Sequence, residues 1–84
     1  MVEINIIKDR EGSFPVTLEE AETGDQIVYH IGKYASGPHK NDALKAALDG
    51  RCFIYQRRYG GELFAYIAVK ASDKHAKRMK GIVK

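Results

Sequence analysis

The sequence predicts an α+β fold in a single small domain, and three features point to it. Val2–Lys8 and Gln26–Tyr34 read as strands, the first by apolar alternation and the second by β-branched and aromatic content. Lys40–Asp49 repeats apolar residues at helical spacing. Two further strand-like runs, Arg51–Arg58 and Glu62–Lys70, flank Tyr59-Gly60-Gly61 and predict a β-hairpin. At 84 residues the chain holds one domain, 1–84, with a small core.

Taken in order, Val2, Ile4 and Ile6 alternate with Glu3 and Asn5, the two-residue period of a half-buried edge strand. Asp9–Pro15, with Gly12 and Pro15, reads as a loop. Thr17 and Glu20 form a capping box for a short helix that Thr23-Gly24-Asp25 ends. Gln26–Tyr34 has apolar residues on both faces, with Ile27, Tyr29 and Ile31 on one and Val28 on the other, so it belongs in the middle of a sheet. Gly37-Pro38 breaks it. In Lys40–Asp49, Asn41 is placed to cap, Asp42 suits the positive N-terminal end, and Gly50 sits where a left-handed closing residue is wanted. Its apolar stripe is Ala43, Leu44, Ala47 and Leu48.

A two-residue Gly60-Gly61 loop sets Tyr59 opposite Glu62 in the hairpin. Cys52, Ile54, Gln56 and Arg58 then share a core face with Leu63, Ala65, Ile67 and Val69. The other face gathers Phe53, Tyr55, Phe64 and Tyr66, with Arg51, Arg57 and Lys70 around them. Residues 71–84 read either as a short helix docked on Ala76, Met79 and Val83 or as a basic tail carrying Lys74, Lys77, Arg78, Lys80 and Lys84.

Composition narrows the function. Cys52 is the only cysteine, so no disulfide forms within the chain, and in its apolar run it reads as a core residue of a protein from a reducing compartment. No run approaches the ~20 apolar residues that span a bilayer. Met1–Asp9 lacks the basic start of a signal peptide. The expectation is a cytoplasmic protein, of a bacterium or a virus infecting one. His30, His39 and His75 lack partners at metal-ligand spacing, and neither a phosphate-binding glycine loop nor a nucleophile elbow is present, which predicts no enzyme, cofactor or metal. Charge is divided: residues 1–30 hold two cations against seven acids, net −5, and residues 31–84 hold twelve against four, net +8. The halves either attract each other within the fold or leave the basic one for a polyanion.

The order helix, strand, helix, then a hairpin with Arg57-Arg58 near its tip resembles the winged-helix group over roughly Thr17–Lys70. The resemblance makes Lys40–Asp49 the groove-entering helix and Arg51–Lys70 the wing. That helix offers Lys40, Asn41 and Lys45 beside Asp42 and Asp49, and the acids oppose phosphates.

Two functional expectations follow. The first is a nucleic-acid-binding regulator, with Arg57, Arg58, Lys40, Lys45, Lys74, Lys77, Arg78 and Lys80 on the phosphates of DNA or RNA, and Phe53, Tyr55, Phe64 and Tyr66 available to stack bases. The second is a small protein-interaction module, a homodimer or an inhibitor of a partner protein (phage-encoded in one version), using that aromatic face as its contact.

Overall fold

The computed structural model describes residues 2–72, so both readings of the tail, and its Lys74, Lys77, Arg78 and Lys80, lie outside the described residues. Six elements follow in order: β1 (Glu3–Asn5), α1 (Ser13–Glu20), β2 (Gln26–Gly32), α2 (Lys40–Leu48), β3 (Cys52–Gly60) and β4 (Leu63–Lys70). The strands form one sheet in the order β1-β2-β4-β3. β1 runs parallel to β2, and the β2–β4 and β4–β3 pairs are antiparallel. The α+β architecture, the edge position of β1 and the central position of β2 are as the sequence predicts.

Both helices cover one face of the sheet. Phe14, Leu18 and Ala21 line up at i, i+4 and i+7 and meet Ile27, Tyr29, Tyr66 and Ala68 in the main core. α1 begins at Ser13, four residues before the expected Thr17 cap. Pro15, expected in a loop, is its third residue, where a helix has no acceptor for the backbone N–H and proline is tolerated. Burial decides the start, because Phe14 is 0% exposed and must present itself from a helical turn. At the other end Lys70 Nζ donates to the carbonyls of Glu19 (3.1 Å) and Ala21 (2.7 Å), acceptors that the ending helix leaves open.

α2 closes as expected: Gly50 is left-handed (φ 77°), with Gly50 N–H on the Ala47 carbonyl and Arg51 N–H on that of Ala46. Its buried face is not the expected stripe. His39, at the N-cap position, lies at 0% exposure with Ala43 and Ala46 at spacing 0, 4, 7, so Leu44 and Leu48 turn outward. His39 Nε2 donates to the Ile6 carbonyl at 2.8 Å and ties the start of α2 to the end of β1. No side chain caps α2, and Asn41 is exposed.

The hairpin register differs from the expected one by a residue. Gly60 pairs with Leu63 around a Gly61-Glu62 turn, with Gly61 at φ 53° and Glu62 not positive, the pattern of a type II′ turn. Tyr59 is the extra residue of a bulge, and from there Arg58 faces Phe64 and Cys52 faces Lys70. Every β4 side chain therefore swaps faces relative to the expectation. Cys52 and Ile54 meet the helices with Phe64, Tyr66 and Ala68. Ile67 and Val69 lie on the opposite face with Ala65, Val28 and Ile31. A second bulge at Tyr29 puts Ile31 on that far face as well, away from Ile27 and Tyr29.

Acidic N-terminal residues hold basic later ones. Glu3 pairs with Arg57 at 3.1 Å and Glu19 with Arg51 at 3.0 Å. Tyr55 donates to Gln26 Oε1 at 3.2 Å, so β3 side chains reach over the far face towards β2 and β1. Asp25 accepts the N–H of Glu22 (2.9 Å) on one oxygen and of Val2 (3.0 Å) on the other. Those two N–H groups, the Glu22 one foremost, hold its carboxyl below the usual 3.8, against the opposing effect of burial.

Two outcomes follow for stability. Phe14→Ala lowers the unfolding free energy by about 3–5 kcal/mol, whereas Val16→Ala, on the exposed side of the same helix, changes it by less than about 0.5 kcal/mol; urea titration measures both. A depressed carboxylate pKa contributes stability above its unfolded value and loses it as pH falls through the folded one. The gap in urea midpoint between the parent and Asp25→Asn is therefore full at neutral pH and narrows below 3.8; a gap independent of pH contradicts the clamp.

Candidate functional site

The expected aromatic platform is not formed as one surface. Phe53 and Tyr55 lie on the far face with Val69 and Ile67, and Phe64 and Tyr66 lie on the helix face with Arg58 and Gln56. Tyr66 is buried, 6.5 Å from Tyr29, and its hydroxyl donates to the Lys33 carbonyl. The one-residue register difference separates the four rings. A continuous stack for bases is therefore absent from the described residues.

The expected phosphate-binding cations also disperse. Arg57 is held by Glu3, and Lys45 lies beside Asp42 and Asp49 on the side of α2 that faces α1. Arg58 and Lys40 form no ion pair among the described residues. Lys40 stands on the rim of a groove between α2 and β3.

That groove and the strand beside it adjoin on the described surface. β3 is the sheet's outer strand and runs for nine residues, against three in β1. The hydrogen-bond pattern fixes which of its backbone groups point outward. Ala71 N–H donates to the Arg51 carbonyl at 2.9 Å, and Lys70 N–H donates to Asp25 at 3.0 Å on the β2 side. By the antiparallel alternation Val69, Ile67 and Ala65 bond to Phe53, Tyr55 and Arg57. The N–H and C=O groups of Ile54, Gln56 and Arg58 then face away from the sheet, three residues in a row along one edge.

Side chains continue the edge into the groove, which has a volume of ≈ 360 Å³. Leu44 and Lys40 of α2 stand on one side, Ile54 and Gln56 of β3 on the other, with Tyr29 and Tyr66 at the bottom. Leu44 is 46% exposed, and Leu48, one turn further on, is 81% exposed. Burial pushes the Tyr29 hydroxyl up to about 12, with the nearby Cys52 and Tyr66 groups adding to it. Cys52, whose Sγ lies 3.9 Å from the Ala43 carbonyl, is pushed up to about 11 by burial and stays a thiol at neutral pH.

His30 contacts Ser36 Oγ at 3.1 Å and lies 5.7 Å from the Tyr66 ring, while His39 serves the backbone of Ile6. Among the described residues no group of three or more His, Cys, Asp or Glu is placed to hold a metal ion, and no helix is long and apolar enough to cross a membrane. Sequence reasoning missed Leu44, Leu48 and the outward edge at Ile54, Gln56 and Arg58. The available signal was His39, whose spacing to Ala43 and Ala46 marks the face that turns the leucines outward.

Amide hydrogen exchange reads the edge directly. In the free chain the Phe53, Tyr55 and Arg57 amides exchange slowly and those of Ile54, Gln56 and Arg58 exchange fast. Uniform protection along β3 contradicts an open edge. Comparison with protein-family models, characterised proteins and solved structures returns no match to this chain.

Proposed function

We propose that this protein is a small interaction module that binds an extended segment of a partner protein along the β3 edge. The observation that carries the reading is the pairing of an edge left open among the described residues with an apolar groove on the same side of the molecule. A docked strand gains main-chain hydrogen bonds from Ile54, Gln56 and Arg58, and its alternate side chains enter the groove beside Leu44. Each main-chain bond contributes about 0.5–1.5 kcal/mol net, and an apolar side chain fully buried in the groove about 1.5–3 kcal/mol. Several of each offset the cost of association and give a moderate, reversible affinity.

The nucleic-acid reading has less support in the arrangement. It relies on Lys40, Arg57 and Arg58 without the ring platform. An apolar groove gives a phosphate backbone no partner.

Gln56→Pro tests the proposal cleanly. The Gln56 N–H points outward, so proline there breaks no bond to β4 and the fold is retained, but an outward donor is lost and strand addition is blocked. Tyr55→Pro, one residue away, removes a β3–β4 bond and lowers the melting temperature. Extended peptides of neutral, acidic and basic composition are titrated into the parent protein. At least one protects the Ile54, Gln56 and Arg58 amides and shifts Leu44, and Gln56→Pro abolishes this without changing the melting temperature. If no peptide of any charge protects those amides, the module reading is wrong.

A further inference from the structure

We infer that the strand accepted at the β3 edge is acidic: apolar side chains enter the groove at its middle, carboxylates at its ends on that side meet Arg58 and Lys40, and carboxylates on the opposite side meet Arg57. The inference rests on the reading of β3 as a docking edge and specifies the chemistry of its occupant. Cys52–Arg58 holds two arginines and no carboxylate, so whatever lies along it meets positive charge at Arg57 and Arg58. Lys40 adds a third cation on the opposite rim of the groove. The acids near this surface are committed elsewhere, Glu3 to Arg57 and Glu62 to Lys33. The Glu3–Arg57 pair is about half-exposed on both sides, so Arg57 can take a second carboxylate without leaving a buried charge unpaired.

The same charges decide between possible occupants. Two copies of the chain paired through β3 bring four arginines of Arg57 and Arg58 into one contact against only the two Glu3 carboxylates, and the excess of like charge opposes pairing. Residues 73–84 carry five cations and one acid in sequence, so they supply no complement either. Tyr59 adds a geometric limit. Its bulge ends the regular edge at Arg58 and confines the docked segment to a short run. A short acidic strand of another protein fits all three constraints, and a nucleic acid fits only the charge.

The test uses the full chain, isotope-labelled, and three synthetic peptides of about nine residues with blocked ends. Valine or isoleucine alternates with glutamate in the first, with glutamine in the second and with lysine in the third, each flanked by one more copy of its polar residue. The glutamate peptide binds about tenfold or more tightly than the glutamine peptide, weakens as salt rises, and protects the Ile54, Gln56 and Arg58 amides. The lysine peptide does not bind. In Lys40→Gln/Arg58→Gln the advantage of glutamate over glutamine falls to within about twofold, and an advantage that stays near tenfold overturns the assignment of these two cations.

Equal binding of all three peptides overturns the acidic preference and leaves the docking edge standing. Absence of protection by every peptide overturns both. Concentration-dependent dimerisation that protects the same amides, or their protection by an oligothymidylate and not by the glutamate peptide, overturns the acidic strand by replacing its occupant.

Discussion

Ile67 of β4 pairs with Val28 on one side and Tyr55 on the other, and the rest of the molecule depends on that alignment. β4 is the strand through which the hairpin joins the remainder of the sheet. Its side chains serve two environments at once: Tyr66 and Ala68 complete the helix-covered core, and Ala65 and Ile67 fill the far face. Because strand side chains alternate with period two, a slip by one residue would exchange these sets. Small alanines would then stand where Tyr66 meets Tyr29, and rings would crowd a face that neither α1 nor α2 covers. The Gly61-Glu62 turn and the Tyr59 bulge select between the registers, so two local features near the hairpin tip specify packing many residues away.

The elements were legible in the sequence because periodicity and turn chemistry are local. The strand content, the hairpin, the closing Gly50 of α2 and the edge and central positions of β1 and β2 all came from that information. Bulges were not legible. An alternation such as Ile27, Tyr29, Ile31 looks unbroken, and only pairing with β4 shows that Tyr29 is inserted and Ile31 falls on the other face. Gly60-Gly61 admits more than one turn, and choosing between them required knowing which rings the helices cover. Phe14 was hidden for a related reason: between Gly12 and Pro15 it reads as loop, and a tertiary demand for a large apolar side chain extends the helix to it. The candidate site was less legible still, since an open edge is a property of neighbours. Nothing local to Ile54, Gln56 or Arg58 states that, among the described residues, no strand lies beyond them in the sheet.

The division of charge along the chain acquires a structural meaning in the folded molecule. Much of the acidic beginning is spent internally, with Glu3 and Glu19 on arginines and Asp25 on two backbone N–H groups. Exposed pairs of this kind add little stability individually. Their effect is to offset part of the charge of Arg51 and Arg57, and Arg58 and Lys40 are left without an ion pair among the described residues. Lys70, by contrast, acts inside the fold, on the carbonyls that α1 leaves open.

The two sides of the sheet are unequal in length, three residues in β1 and nine in β3. A strand is therefore offered nine residues of backbone at β3 and three at β1. A protein with two long edges is a link that can propagate into a fibre; among the described residues this sheet has one long edge and one short one. A partner strand docked here would gain a finished margin, shielded from further pairing on that side by a folded domain. The short β1 makes the two edges unequal, and strand addition on that side has little backbone to use.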